Sequence, residues 1–134
     1  MKLVRVVCGL DKTFAIDDSG RLFFWGKGGG VFPELVKFFA DNRIVLVDVA
    51  VLVERNLRNF PGTHNSHQSD LPRGTVMYLS DVGEVYWSHN ESPTPKKFDP
   101  ISDRFITSIA LSEVTALFLD DQGQVYSAYS LPLS

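Results

Sequence analysis

Three stretches of the chain repeat one alternation of apolar and polar positions around a glycine. Residues 13–26 read TFAIDDSGRLFFWG, residues 76–88 read VMYLSDVGEVYWS and residues 116–128 read ALFLDDQGQVYSA. In each, two apolar or aromatic runs flank a short acidic turn, which is the pattern of a β-hairpin. Aligned on Gly20, Gly83 and Gly123, all three have an aspartate two residues earlier (Asp18, Asp81, Asp121). All three have an aliphatic residue two positions later and an aromatic one three later (Leu22-Phe23, Val85-Tyr86, Val125-Tyr126). Aspartate bonds nearby backbone in a turn and glycine takes positive φ without strain, so these are hairpin corners. The pairs Asp17-Asp18 and Asp120-Asp121 read as turn-formers rather than as paired catalytic carboxylates.

A β-rich run precedes each hairpin, at 2–8, 44–51 and 105–111. A repeat of this length decides the architecture, so three copies of one β-unit are expected. The run 44–53, IVLVDVAVLV, is apolar nearly throughout and is expected as an inner or central strand covered on both faces, with Asp48 turned to solvent. Residues 33–39 are expected as an outer strand, by analogy with 94–98, although Pro33 also suits the first turn of a short helix. The glycine-rich run 26–30 lacks the later Lys-Ser/Thr step and following helix of a phosphate loop. It reads as a loop at a sheet edge.

The residues of the first copy carry a family resemblance. Cys8-Gly9, Thr13-Phe14-Ala15-Ile16, Asp18, Gly20-Arg21-Leu22-Phe23 and Trp25-Gly26 resemble the core of an RCC1-type repeat. The second and third copies keep the Asp-x-Gly corner and the Val-Tyr step. Lys12 stands where that repeat commonly has His, and only Trp25-Gly26 reproduces its closing Trp-Gly. The resemblance implies an all-β fold, a partial RCC1-like β-propeller of about three antiparallel blades. The blades are expected at about 1–40, 41–100 and 101–134, with 54–74 inserted in the second. Trp25, Trp87, Tyr86 and Tyr126 then serve blade packing before ligand binding.

With 134 residues, 44% of them hydrophobic, the chain is long enough for one domain with a real core. A formal net charge of −3 gives no field for direct nucleic-acid or anionic-membrane binding. Cys8 is the single cysteine, which excludes an intrachain disulfide and favours a reducing compartment, cytoplasm or nucleus. In the small slot before Gly9 it is expected to be packed and inert. The amino terminus does not read as a signal peptide, because Arg5 interrupts its short apolar run. No apolar stretch approaches the roughly 18 residues of a membrane span.

Residues 54–74 (ERNLRNFPGTHNSHQSDLPRG) break the repeat and are polar, turn-rich and without period. A loop of this length with no core duty is a place for function. His64, His67 and Asp70 are spaced to offer two imidazoles and a carboxylate to Zn²⁺ if the loop folds back. Ser66, His67 and Asp70 can also be drawn as nucleophile, base and orienter, but a triad is recognised by geometry. The stronger expectation is a protein-contact arm: Arg55, Arg58, Phe60, His64, His67 and Arg73, with arginines suited to bidentate bonding of acidic groups.

The sequence therefore points to a non-enzymatic scaffold without cofactor, presenting residues 54–74 to a protein partner. A complete propeller has about 4–8 blades. Three do not close, so the chain is expected to be a segment of a longer protein, a divergent small form, or a unit that completes the ring with another copy. The alternatives are a guanine-nucleotide exchange regulator of a small GTPase, which the resemblance suggests but the scaffold alone does not carry, and a metal-dependent enzyme using His64, His67 and Asp70.

Overall fold

A computed structural model describes residues 2–9, 11–26, 29–53, 71–112 and 114–128. The fold is all-β, three antiparallel sheets that form a partial β-propeller of three blades. The first blade orders β1 (Leu3–Cys8), β2 (Lys12–Asp17), β3 (Leu22–Gly26) and β4 (Glu34–Leu35) side by side. The second orders β5 (Leu46–Val51), β6 (Val76–Ser80), β7 (Val85–His89) and β8 (Ser92–Lys97). The third has β9 (Ile106–Leu111), β10 (Ala116–Asp120) and β11 (Val125–Ala128) among the described residues. The first strands β1, β5 and β9 lie next to one another as the inner edges of the blades.

The core lies between blades rather than within them. Phe14, Ile16 and Leu22 of the first blade pack on Leu46, Val49, Val76, Tyr78 and Tyr86 of the second. On its other face, Met77, Leu79, Val85 and Trp87 pack on Ile106, Ile109, Ala116 and Phe118 of the third. The middle blade is thus covered on both sides, and every residue of β6 is buried. The links between blades plug these cores from outside. Phe39 sits 4.9 Å from the Tyr78 ring, and Phe98 stacks on Phe118 at 5.2 Å.

Each hairpin corner is built alike. The N–H of Gly20, Gly83 and Gly123 donates to the carbonyl of the residue three earlier, at 3.0, 3.2 and 3.2 Å. The glycines have φ of +81°, +77° and +80°, the type I turn with a left-handed closing residue. The side chain three before the glycine finishes the corner. Asp17 Oδ1 accepts the Ser19 and Arg21 N–H groups at 3.0 and 2.9 Å, and Asp120 Oδ1 accepts those of Gln122 and Gln124 at 2.9 and 2.8 Å. Ser80 Oγ does part of this in the second blade, accepting the Glu84 N–H at 3.0 Å. The shared aspartates Asp18, Asp81 and Asp121 are exposed.

Burial alone would raise the Asp17 carboxyl. The Arg21 N–H and guanidinium and the Ser19 N–H outweigh it and hold the group below the ordinary 3.8. Asp120 is likewise raised by burial but lowered further by the Gln124 and Gln122 N–H groups, the Tyr126 hydroxyl and the Arg104 charge.

Four expectations change. β5 takes the inner of the two expected places, at the inner rim, but as an edge strand it is not covered on both faces, and Val47 is exposed. Asp48 is half-buried and ion-paired to Arg5 of the neighbouring blade rather than open to solvent. The 33–39 strand is limited to Glu34–Leu35, with one further bond from Val36 N–H to Leu22 O, because a short helix α1 (Lys37–Asp41) takes over from there. That helix carries Phe38 and Phe39 onto Tyr86 and Tyr78, contacts that outweigh the extended propensity of the segment. Cys8 is exposed, not packed: it shares the face of β1 that carries the exposed Val6, whereas Val7 turns to the core shared with the second blade.

Asp17→Ala strips two backbone N–H groups of their acceptor and is expected to cost about 2–3 kcal/mol in urea unfolding. Its neighbour Asp18→Ala, at an exposed position, should stay within about 0.5 kcal/mol. Because the carboxyls of Asp17 and Asp120 titrate below 3.8 in the folded state, their contribution is complete above that value. It is lost as pH falls through the lowered folded values. The melting temperature is therefore expected to fall in acid below about pH 4, and a double Asp17→Asn, Asp120→Asn variant should flatten that fall; melting curves that run parallel to wild type would contradict it.

Candidate functional site on the insertion face

Strand direction sorts the connections onto two ends of the blade array. The corners at Gly20, Gly83 and Gly123 lie at one end. The β1–β2, β5–β6 and β9–β10 connections lie at the other, together with the β7–β8 turn and the loop after β3. The insertion is the β5–β6 connection, so it emerges at this second end, beside the connections of both neighbouring blades.

Of the residues expected to contact a partner, Arg55, Arg58, Phe60, His64 and His67 lie outside the described residues, as does Asp70 of the candidate metal set. Arg73 is described and exposed. The base of the insertion is built tightly. Leu52 N–H donates to Thr75 O at 2.9 Å, tying the strand that leaves to the strand that returns. Leu52 and Leu71 are both buried in the core shared by the second and third blades. Thr75 Oγ1 donates to Pro72 O at 2.5 Å, and Arg73 O accepts the Asn90 N–H at 3.0 Å. Gly74 has φ +72°, which favours glycine, and its missing side chain leaves room for the Asn90 amide. Lys12 Nζ donates to the same Oδ1 at 3.0 Å and links the first blade to this base.

The surroundings suit binding rather than bond-making. On the β3–β4 loop of the same end, Val31 and Phe32 are strongly exposed. At the end of β7, His89 stacks on Trp87 at 5.4 Å with the planes 17° apart. Among the described residues, no three His, Cys, Asp or Glu side chains gather as metal ligands, and no helix is long and apolar enough to cross a membrane. At the opposite end a cleft of about 430 Å³ is bordered by Phe38, Arg43, Ser80, Asp81 and Tyr86. Behind it, burial pushes the Tyr78 hydroxyl up to about 12 against a hydrogen bond with Ser88, which suits packing rather than proton transfer. Lys12, Asn90, Val31 and Phe32 were not singled out by sequence. Their common feature, a place in the connections at one end, is visible only once the strands are laid out.

This geometry defines a class, an array of antiparallel blades, two of four strands and one of three among the described residues, packed face to face around an inner rim. No protein-family model matches the sequence, and no curated protein matches it by sequence. Solved structures match the fold. Human WBSCR16 superposes with a TM-score of 0.67 at 14% identity, over 93% of this chain and 32% of its own. Yeast RCC1 (Prp20), in a structure bound to Kap60, superposes with a TM-score of 0.60 at 14% identity, over 93% of this chain and 31% of its own. Both are RCC1-like β-propellers, so the fold is of that kind. The chain spans about a third of the length of each.

The base predicts its own energetics. Leu71→Ala, next to the polar insertion in sequence, is expected to cost about 2–4 kcal/mol because it opens a core cavity. Val53→Ser, an exposed change at the other end of the insertion, should cost less than about 0.5 kcal/mol; equal effects in urea unfolding would place Leu71 outside the core.

Proposed function

We propose that this chain is a non-enzymatic scaffold of RCC1-like repeats that presents residues 54–74 to a protein partner. The observation that carries the reading is the anchored base: Leu52 and Leu71 are locked in one core and joined through Leu52 N–H and Thr75 O. A loop held at both ends by a rigid sheet loses less entropy on binding than a free segment. The arginines and Phe60 of the insertion, with Val31 and Phe32 exposed at the same end of the blade array, fit a partner surface that is acidic around an apolar centre. Yeast RCC1, similar in fold, is found with a protein bound, Kap60. A reducing compartment, cytoplasm or nucleus, suits the single exposed cysteine.

The runner-up is guanine-nucleotide exchange on a small GTPase, favoured by the likeness to RCC1 alone. The two readings separate in one pair of measurements. Excision of residues 56–69 spares the buried Leu71 and the Pro72 turn, and is expected to leave the melting temperature within a few degrees while abolishing capture of the partner. Capture unchanged by the excision would end the insertion's role, and accelerated nucleotide release from a small GTPase would replace the scaffold reading.

A further inference from the structure

The three corners follow one plan, and the second departs from it at a single residue. In the first and third, the side chain three before the glycine is a carboxylate, Asp17 or Asp120. Oδ1 of each accepts the N–H groups of the residues two and four further on. Oδ2 is held by a side chain: the Arg21 guanidinium donates to Asp17 at 2.8 Å, and the Tyr126 hydroxyl donates to Asp120 at 3.1 Å. In both corners an arginine also lies over the ring beside the acid, Arg21 over Phe23 and Arg104 over Tyr126.

The second corner has Ser80 in that place, and its hydroxyl takes the Glu84 N–H alone. The Val82 N–H, which matches those of Ser19 and Gln122, donates to nothing among the described residues, and neither does the Tyr86 hydroxyl, which matches that of Tyr126. Val45 O accepts the Asp81 N–H as Phe105 O accepts the Asp121 N–H, so Ile44 stands where the third blade has Arg104. Where the third blade has its acid and its arginine, the second has the cleft of about 430 Å³, walled by Ser80, Val82, Tyr86, Ile44 and Arg43. Arg43 has no ion-pair partner among the described residues. Two acids border the cleft as well, Asp81 and Glu84. Glu84 is already paired with Lys97 at 2.5 Å. Asp81 matches Asp18 and Asp121, beside which Asp17 and Asp120 still hold their carboxyls below the ordinary value. An acid in that neighbouring place therefore does not bar a carboxylate from the corner.

We propose that this cleft binds a carboxylate on a short stem, an acidic side chain or a free organic acid, with the Val82 N–H, the Tyr86 hydroxyl and the Arg43 guanidinium as its donors. The ligand brings from outside the acid that the other two corners carry within the chain. Bonds from such donors to an ionised carboxylate are stronger than neutral ones, and a cleft with apolar walls and a few convergent polar groups is the usual form of a small-ligand site. Phe38, Ile44 and Val82 supply the apolar wall for the stem. The cleft belongs to the middle blade, which has a neighbour on each face, and lies at the end opposite the insertion. The inference therefore goes beyond the scaffold reading and does not depend on it.

The test is amide NMR of the 134-residue chain titrated with two acids, an aspartate blocked at both ends and free succinate, beside the blocked asparagine as neutral control. The expected result is a saturable shift of the Val82 amide with the acids and none with the control. Whichever acid reaches half-saturation at the lower concentration names the source, side chain or free acid, and either supports the site. Arg43→Gln should weaken binding roughly tenfold, the loss of one charged hydrogen bond. Ser80→Asp builds the acid into the corner; it should move the Val82 resonance with no ligand present, abolish binding and raise the melting temperature. Should Ser80→Asp fail to fold, Arg43→Gln and the neutral control still decide. No saturable shift with either acid, an equal shift with the blocked asparagine, or binding untouched by the variants would each overturn the proposal. The chain lacking residues 56–69 should titrate as wild type does, so a failure of the insertion to capture a partner leaves this site standing.

Discussion

A blade cannot be stable by itself, and that constraint shapes everything else in the molecule. Each sheet presents apolar side chains on both faces, and a single sheet in water covers neither. The second blade shows the solution in full. Tyr78 and Tyr86 look one way into the first blade, Met77 and Trp87 look the other way into the third, and no residue of β6 is left in solvent. Stability is therefore a property of neighbours, as in other repeat architectures, where nearest-neighbour interfaces add to weak intrinsic terms.

The corners translate that packing into register. A glycine with positive φ brings its carbonyl within hydrogen-bond reach of the next blade's first strand, and its missing side chain lets Val45 or Phe105 come close. Asp17 and Asp120 hold the corner shape from within by accepting two N–H groups each. The corner is thus fixed locally by a carboxylate and used at long range by a carbonyl. The bulge shared by β1 and β5, between Leu3 and Arg5 and between Leu46 and Asp48, places the Arg5–Asp48 ion pair across adjacent inner strands. Exposed charges of this kind add little energy, so the pair is better understood as a register mark than as a source of stability.

What could be read from residues alone follows the same division. The corners were legible because glycine and aspartate act within a few residues of themselves, and three copies gave the blade count. Both aspartates of the pairs Asp17-Asp18 and Asp120-Asp121 read as turn-formers, and the first of each accepts the corner N–H groups. The aspartate shared by all copies, Asp18, Asp81 or Asp121, is the exposed one, whereas the buried acceptor is Asp17, Ser80 or Asp120. Ser80 hides that second pattern by doing with a hydroxyl what a carboxylate does in the other two corners. The helix at Lys37–Asp41 was illegible for the opposite reason. Phe38 and Phe39 are held by Tyr86 and Tyr78, more than thirty-five residues away along the chain, and no local preference announces such partners. Cys8 reads as packed from its neighbours in sequence, but strand alternation turns it, with Val6, away from the core that Val7 joins.

The candidate site was legible as a break in the repeat, not as a set of contacts. Residues 54–74 stand out because they share nothing with the copies on either side, while Lys12 and Asn90 stand out only after folding. Both ends of the array are assembled from connections, but the corners are committed to neighbouring blades and have little freedom to vary. Among the described residues, the opposite end joins blades through the Lys12–Asn90 bond, while its other ties, the Leu52–Thr75 bond and the buried Leu71, hold the base of the insertion. An insertion placed there can grow and change while every interblade joint stays as it is. The same logic of position explains why the scaffold tolerates it: the strands that bracket the insertion belong to the one blade with both faces already covered, where anchoring is strongest.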